Sequence, residues 1–210
     1  MSNIRKQSIL SSVLIYIGFA FGFLNTYLFA KQGIFKLEEY GLIQAFISIG
    51  LIYFSLSNMG SNYIMAKMYP YYYDELEKKD NDLLALCLTL SLAGFIVLCA
   101  GSIFLKPLMI QKFSVQSKLL IQYFYWTLPF SFFYTLFFIL SSQSFINKKS
   151  VLPSFLQEAG FRIFTTILIV LKLTNLINFD LFIKLFAFAY LLLASVLAIY
   201  LHKKGLLLLR

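Results

Sequence analysis

Six apolar runs follow one another along the chain: about Ser8–Ala30, Tyr40–Met68, Leu83–Leu105, Leu119–Ile146, Val151–Leu171 and Leu181–Leu201. Each has about the 20 residues that a membrane-crossing helix needs. The runs lack the short alternation of apolar and polar residues that a transmembrane barrel requires. The pattern predicts an all-α, polytopic integral membrane protein, residues 1–210 forming one bundle of six transmembrane helices. Composition agrees. The chain is 60% hydrophobic and 13% charged, with a mean hydropathy of +0.80, whereas soluble domains carry about 25% charged residues.

A net charge of +9 would suggest nucleic acid in a soluble protein. Here Lys and Arg cluster between the apolar runs, so they read as topology signals and contacts with anionic headgroups, and no nucleic-acid partner is expected. One side (the N-terminus, the second–third and fourth–fifth connections and the C-terminus) holds ten of them; the other side holds six. The positive-inside rule makes the ten-residue side cytoplasmic, with both termini inside. The start of the chain has an apolar region too long for a signal peptide and no small-residue cleavage site, and reads as the first retained span. Cys87 and Cys99 share one apolar run, which argues against a disulfide framework or a metal site.

Interruptions are expected in four places. Gly50, Gly60 and the polar set Ser55, Ser57, Asn58, Ser61 and Asn62 predict a kink or early exit in the second run, followed by an interfacial stretch through Pro70-Tyr71-Tyr72-Tyr73. Asp74 to Asp82 is the densest charge run and reads as a solvated loop. Pro107 is expected to end the third span, and Pro129 to kink the fourth through its missing backbone donor.

Within the fifth run, NKKSVLPSFLQEAGFRIFTTILIVLKL, Glu158 and Arg162 lie four residues apart and so share a helix face, acid before base. Counting from Val151 at about 1.5 Å per residue, they sit roughly 10 and 16 Å into a core about 30 Å thick. Ionisable groups at that depth usually face a bundle interior or a wet cavity. Two readings stay open: a self-neutralising pair that locks the fifth helix, or a polar lining for a passage. Lys184, near the end of the sixth run, can snorkel to the headgroups. The amides Asn25, Gln44, Asn58 and Gln143 suit interhelical hydrogen bonds. His202 reads as an interfacial flanking residue. The sequence contains no phosphate loop, metal-ligand cluster or nucleophile elbow, and the chain is not expected to be an enzyme or to hold a metal.

The same stretch resembles the fifth and sixth spans of polysaccharide-type oligosaccharide flippases, in the superfamily that also contains the multidrug exporters. The likeness lies in the basic pair Lys148-Lys149, the Val151-Leu152-Pro153-Ser154-Phe155 opening, Glu158 and Arg162, and the Phe179-Asp180 start of the last run. Glu39-Tyr40-Gly41 and Lys67-Met68-Tyr69-Pro70 fit the earlier spans. The resemblance implies translocation of a polyprenyl-diphosphate-linked oligosaccharide, such as an O-antigen, lipopolysaccharide or capsule unit, across a bacterial cytoplasmic membrane by alternating access. Members have two six-span halves, so it implies a second half, as missing chain or as another subunit. It implies a substrate pathway through Glu158, Arg162, Asn25, Gln44 and Asn58. No cofactor is implied beyond a coupling ion, H+ or Na+. The competing expectations are a multidrug or small-solute exporter of the same superfamily and a non-catalytic scaffold of an envelope assembly. Some relatives carry cations in the first span, where this chain has only Asn25 at depth.

Overall fold

The computed structural model describes residues 3–31, 34–76, 81–113 and 118–207. Every regular element among them is helical: α1 (Asn3–Ala30), α2 (Leu37–Ser57), α3 (Ser61–Asp74), α4 (Leu83–Phe113), α5 (Lys118–Gln122), α6 (Thr127–Ile146), α7 (Val151–Phe155), α8 (Phe161–Leu173), α9 (Phe179–Ala187) and α10 (Ala189–Lys203). A 3-10 turn, Phe124–Trp126, precedes α6, and a π turn, Leu156–Gly160, joins α7 to α8. Six helical segments are long and apolar enough to cross a membrane: Gln7–Ala30, Leu37–Ser57, Leu83–Phe104, Phe124–Ile146, Val151–Leu173 and Phe179–Lys203. The protein is an all-helical six-span membrane protein. Cys87 and Cys99 are free cysteines.

The second run breaks where its polar residues cluster. α2 stops at Ser57, and Met59 and Gly60 take positive φ values of 44° and 78° before α3 begins. Left-handed backbone suits glycine and strains most other residues. The span therefore ends near Ser57 rather than Met68, and α3, with its tyrosines, is a separate helix.

The two proline expectations fare differently. Pro107 falls just past the third span, as expected, although α4 itself runs on to Phe113. Pro107 lies about 36 Å along α4 at the usual rise, past the length of a hydrocarbon core, where water can meet the carbonyl that proline leaves free. The apolar span itself ends at Phe104. Pro129, against expectation, kinks nothing in mid-helix. It occupies the first turn of α6, where backbone N–H groups have no helical partner and proline removes none. The irregularity falls just before it, in the 3-10 turn.

The core forms where α6 meets α2 and α10. Phe46, Phe130, Phe137, Phe182 and Phe186 are fully buried there. Phe130 and Phe186 stack at 5.5 Å with planes 8° apart, and Phe182 continues the stack at 6.2 Å from Phe186. Phenylalanine suits this role because it fills space between helices without leaving a polar atom to satisfy. α1 meets this core at its end, where Phe29 packs on Phe35 and Tyr40. It packs on α7, the π turn and α8, while Ile9, Val13, Tyr16, Phe19, Phe23 and Tyr27 remain exposed along its length.

Candidate functional site: a polar cleft beside the fifth span

α1 approaches the fifth span closely because its contact positions are glycines. A Cβ at Gly18 would lie 2.5 Å from the carbonyl oxygen of Glu158, and one at Gly22 would lie 3.3 Å from Nε of Arg162. Small residues four apart let transmembrane backbones come together. The Gly18-x-x-x-Gly22 spacing was a readable signal for this contact.

Opposite these glycines the fifth span widens into its π turn. Such turns occur as single insertions in α-helices, often at functional sites. Glu158 lies inside the turn and Arg162 just beyond it. Their Oε2 and Nη2 atoms are 3.5 Å apart, with side chains 28% and 29% exposed. That separation exceeds the 2.7–2.9 Å usual for a charge-assisted hydrogen bond, so the pair is electrostatic contact without a tight bond. Nη1 of Arg162 is buried and has no hydrogen-bond partner. The guanidinium also lies over the Phe19 ring, 5.3 Å from its centroid.

Asn25 fastens the backbone at the same level. Its Nδ2 donates to the Arg162 carbonyl at 2.9 Å. The Thr166 hydroxyl lies 2.7 Å from Asn25 Oδ1 and 2.8 Å from that same carbonyl. Asn25 thus acts as the interhelical partner its residue type suggested, and it holds the arginine's backbone from the first span.

These groups border a cleft of about 530 Å³ between α1, α2 and the fifth span, with α6 and the sixth span behind. Glu158, Arg162, Asn25 and Gln44 all line it, against an aromatic wall that includes Phe161, Phe186 and Tyr190. Phe161 and Tyr190 stack at 4.9 Å. The volume lies in the range of small-molecule sites, about 300–1,000 Å³.

Comparisons with family models, with curated proteins and with solved structures found no match.

Four of the five pathway candidates therefore meet in one cleft, and the fifth does not. Asn58 sits at the break after α2, where its backbone N–H caps Phe54; it does not line the cleft, and its Oδ1 is buried without a partner.

Two ion pairs went unread in the sequence. Lys172 Nζ and Glu39 Oε2 are 2.8 Å apart, both side chains 14% exposed, and tie the end of α8 to the start of α2. Lys172 also lies 3.8 Å from the centroid of Phe35. Lys184, expected to snorkel alone, pairs with Asp180 at 2.6 Å. Tyr123 donates to the same aspartate at 3.1 Å; burial, then that bond and the nearby carboxylate charge, push its phenol above the usual tyrosine range.

Proposed function

We propose that this protein is one six-helix bundle of a flippase that carries polyprenyl-diphosphate-linked oligosaccharide from the inner to the outer leaflet of a bacterial cytoplasmic membrane. On this reading both termini are cytoplasmic, and the open side of the cleft faces a second six-span bundle. The observation that carries the reading is the convergence of Arg162, Glu158, Asn25 and Gln44 on a single cleft within the spans. A cation whose Nη1 has no partner suits a phosphate group. The amides and carboxylate suit sugar hydroxyls, and the aromatic wall gives sugar rings and isoprenoid chain an apolar surface.

The scaffold alternative has less support, because the charged pair borders open space instead of being sealed between helices. A drug exporter of the same superfamily would use Glu158 to attract cationic compounds, and Arg162 beside it disfavours that.

The test is translocation in proteoliposomes. The full chain, reconstituted with a fluorescent polyprenyl-diphosphate oligosaccharide, is expected to expose the sugar to a membrane-impermeant quencher faster than empty liposomes do. Efflux of ethidium under an ion gradient, with no movement of the lipid-linked sugar, would replace the proposal with the drug exporter. Neither activity, from a correctly folded chain supplied with its proposed second bundle, would favour the scaffold.

A further inference from the structure

A second polar cleft, of about 540 Å³, lies at the other end of the fold, past the ends of the fourth and sixth spans and beside α3. Lys148, Lys204, Asp74, Gln143, Tyr69 and Tyr73 line it. Four separate parts of the chain meet here: the end of α3, Asn81 ahead of α4, the end of α6 with the turn after it, and the turn after α10.

Its walls are fixed by their own hydrogen bonds. The Tyr69 hydroxyl donates to Asn147 Oδ1 at 3.0 Å, and Asn147 Nδ2 donates to the Gln143 carbonyl at 2.8 Å. Gln143 Nε2 donates to the Leu206 carbonyl at 3.3 Å. That last bond sets the orientation of the amide, since an oxygen in the same place would face another acceptor. Lys148 is held in a left-handed backbone conformation, φ 57°. Tyr69 and Tyr73 stack at 5.6 Å.

Some groups are left over. Gln143 is only 7% exposed, yet its Oε1 is buried without a partner. A buried acceptor without a donor is costly, and Gln143 lines the cleft, so a donor on a ligand seated there would satisfy it. Lys148, Lys204 and Asp74 share the cleft without forming an ion pair with one another. Two ammonium groups and one carboxylate leave the cleft with one net positive charge.

We propose that this cleft binds the headgroup of an anionic phospholipid: one phosphodiester between Lys148 and Lys204, and a headgroup hydroxyl that donates to Gln143 Oε1. The net charge matches a monoanion. The orphan acceptor calls for a donor on the same ligand, as a phosphoglycerol headgroup supplies. The position at the ends of the apolar spans places the cleft at headgroup level, where tyrosine rings are favoured. The site is separate from the cleft beside Arg162, shares none of its lining residues, and does not depend on what that cleft transports.

The experiment is native mass spectrometry of the full chain released from nanodiscs containing equal parts phosphatidylglycerol and phosphatidylcholine. Preferential retention of phosphatidylglycerol is expected, reduced about thirtyfold in Lys148→Gln/Lys204→Gln, where two lysine–lipid interactions near the surface are lost. Gln143→Met keeps the side chain's size and removes the acceptor. The Nε2 bond to the Leu206 carbonyl is lost with it, so the variant is expected to lower phosphatidylglycerol retention and, when delipidated, to unfold cooperatively a little below the wild-type temperature. Equal retention of the two lipids by wild-type protein would overturn the proposal, as would a double variant that keeps the full preference. Displacement of the lipid by millimolar glycerol phosphate, with the same lysine dependence, would overturn the lipid source and assign the site to a soluble phosphate ester.

Discussion

Gly18 lies so close to Glu158 that a methyl group there would come within 2.5 Å of the glutamate's carbonyl oxygen. The obstacle is backbone, which cannot swing aside as a side-chain tip can. Gly18→Ala should therefore push α1 off the π turn and destabilise the protein by about 1–3 kcal/mol, the usual cost of overpacking. Gly22→Ala should cost less, because it meets the Arg162 side chain at 3.3 Å, which can move by the few tenths of an ångström required. Thermal unfolding in detergent ranks the two. Equal effects would contradict the close packing described at Gly18.

Asn25 reaches across to the fifth span with both ends of its amide. Asn25→Leu keeps the branched shape and removes both bonds. Interhelical hydrogen bonds in membranes average about 0.6 kcal/mol, so a loss near 1 kcal/mol is expected. Thr166→Val should cost less, because the Asn25 bond to the Arg162 carbonyl survives. The same unfolding measurement decides, and a Thr166→Val loss larger than that of Asn25→Leu would contradict this account of the network.

The two newly found ion pairs should differ in worth despite similar distances. Glu39 and Lys172 are each 14% exposed and join separate spans. A double-mutant cycle with Glu39→Gln and Lys172→Met should give a coupling of about 1.5–3 kcal/mol, the range for hydrogen bonds to charged groups. Asp180 and Lys184 are 2.6 Å apart, but their side chains are 47% and 38% exposed along one helix, so water screens them and the coupling should be markedly smaller. A reversed order would contradict the burial described.

Gln44 faces the cleft and Asn58 does not. With Cys87 and Cys99 replaced by Ser, Gln44→Cys should react with a small hydrophilic thiol reagent, and a lipid-linked oligosaccharide should slow that reaction. The reaction of Asn58→Cys should not be slowed by that lipid. Protection at position 58 but not at 44 would place the pathway elsewhere.

Much of this fold was legible because membrane spans are written in length and hydropathy, which a sequence displays directly. All six runs became spans, with ends displaced mainly where turn chemistry intervened. Met59 and Gly60 broke the second run early, and Asn58, at that break, does not line the cleft. The Pro129 reading failed for a positional reason: it sits in the first turn of α6, where a lost donor costs little. At the site, depth and helical spacing were enough to single out Glu158 and Arg162, and Asn25 and Gln44 joined them. The π turn was not legible, since no residue type encodes one. Nor was the Glu39–Lys172 pair, whose members are 133 residues apart and meet only when the second and fifth spans pack.

The central claim is that Arg162 serves a passage and does more than fasten a bundle. Its most direct test is lipid-linked oligosaccharide translocation in proteoliposomes carrying wild-type, Arg162→Lys or Arg162→Ala protein, with folding checked by thermal unfolding. The expected result is at least about a tenfold loss of translocation in Arg162→Ala, corresponding to roughly 1.4 kcal/mol or more of lost phosphate interaction. Arg162→Lys should retain part of the activity, because its charge remains. Wild-type translocation by a stably folded Arg162→Ala protein would contradict the claim.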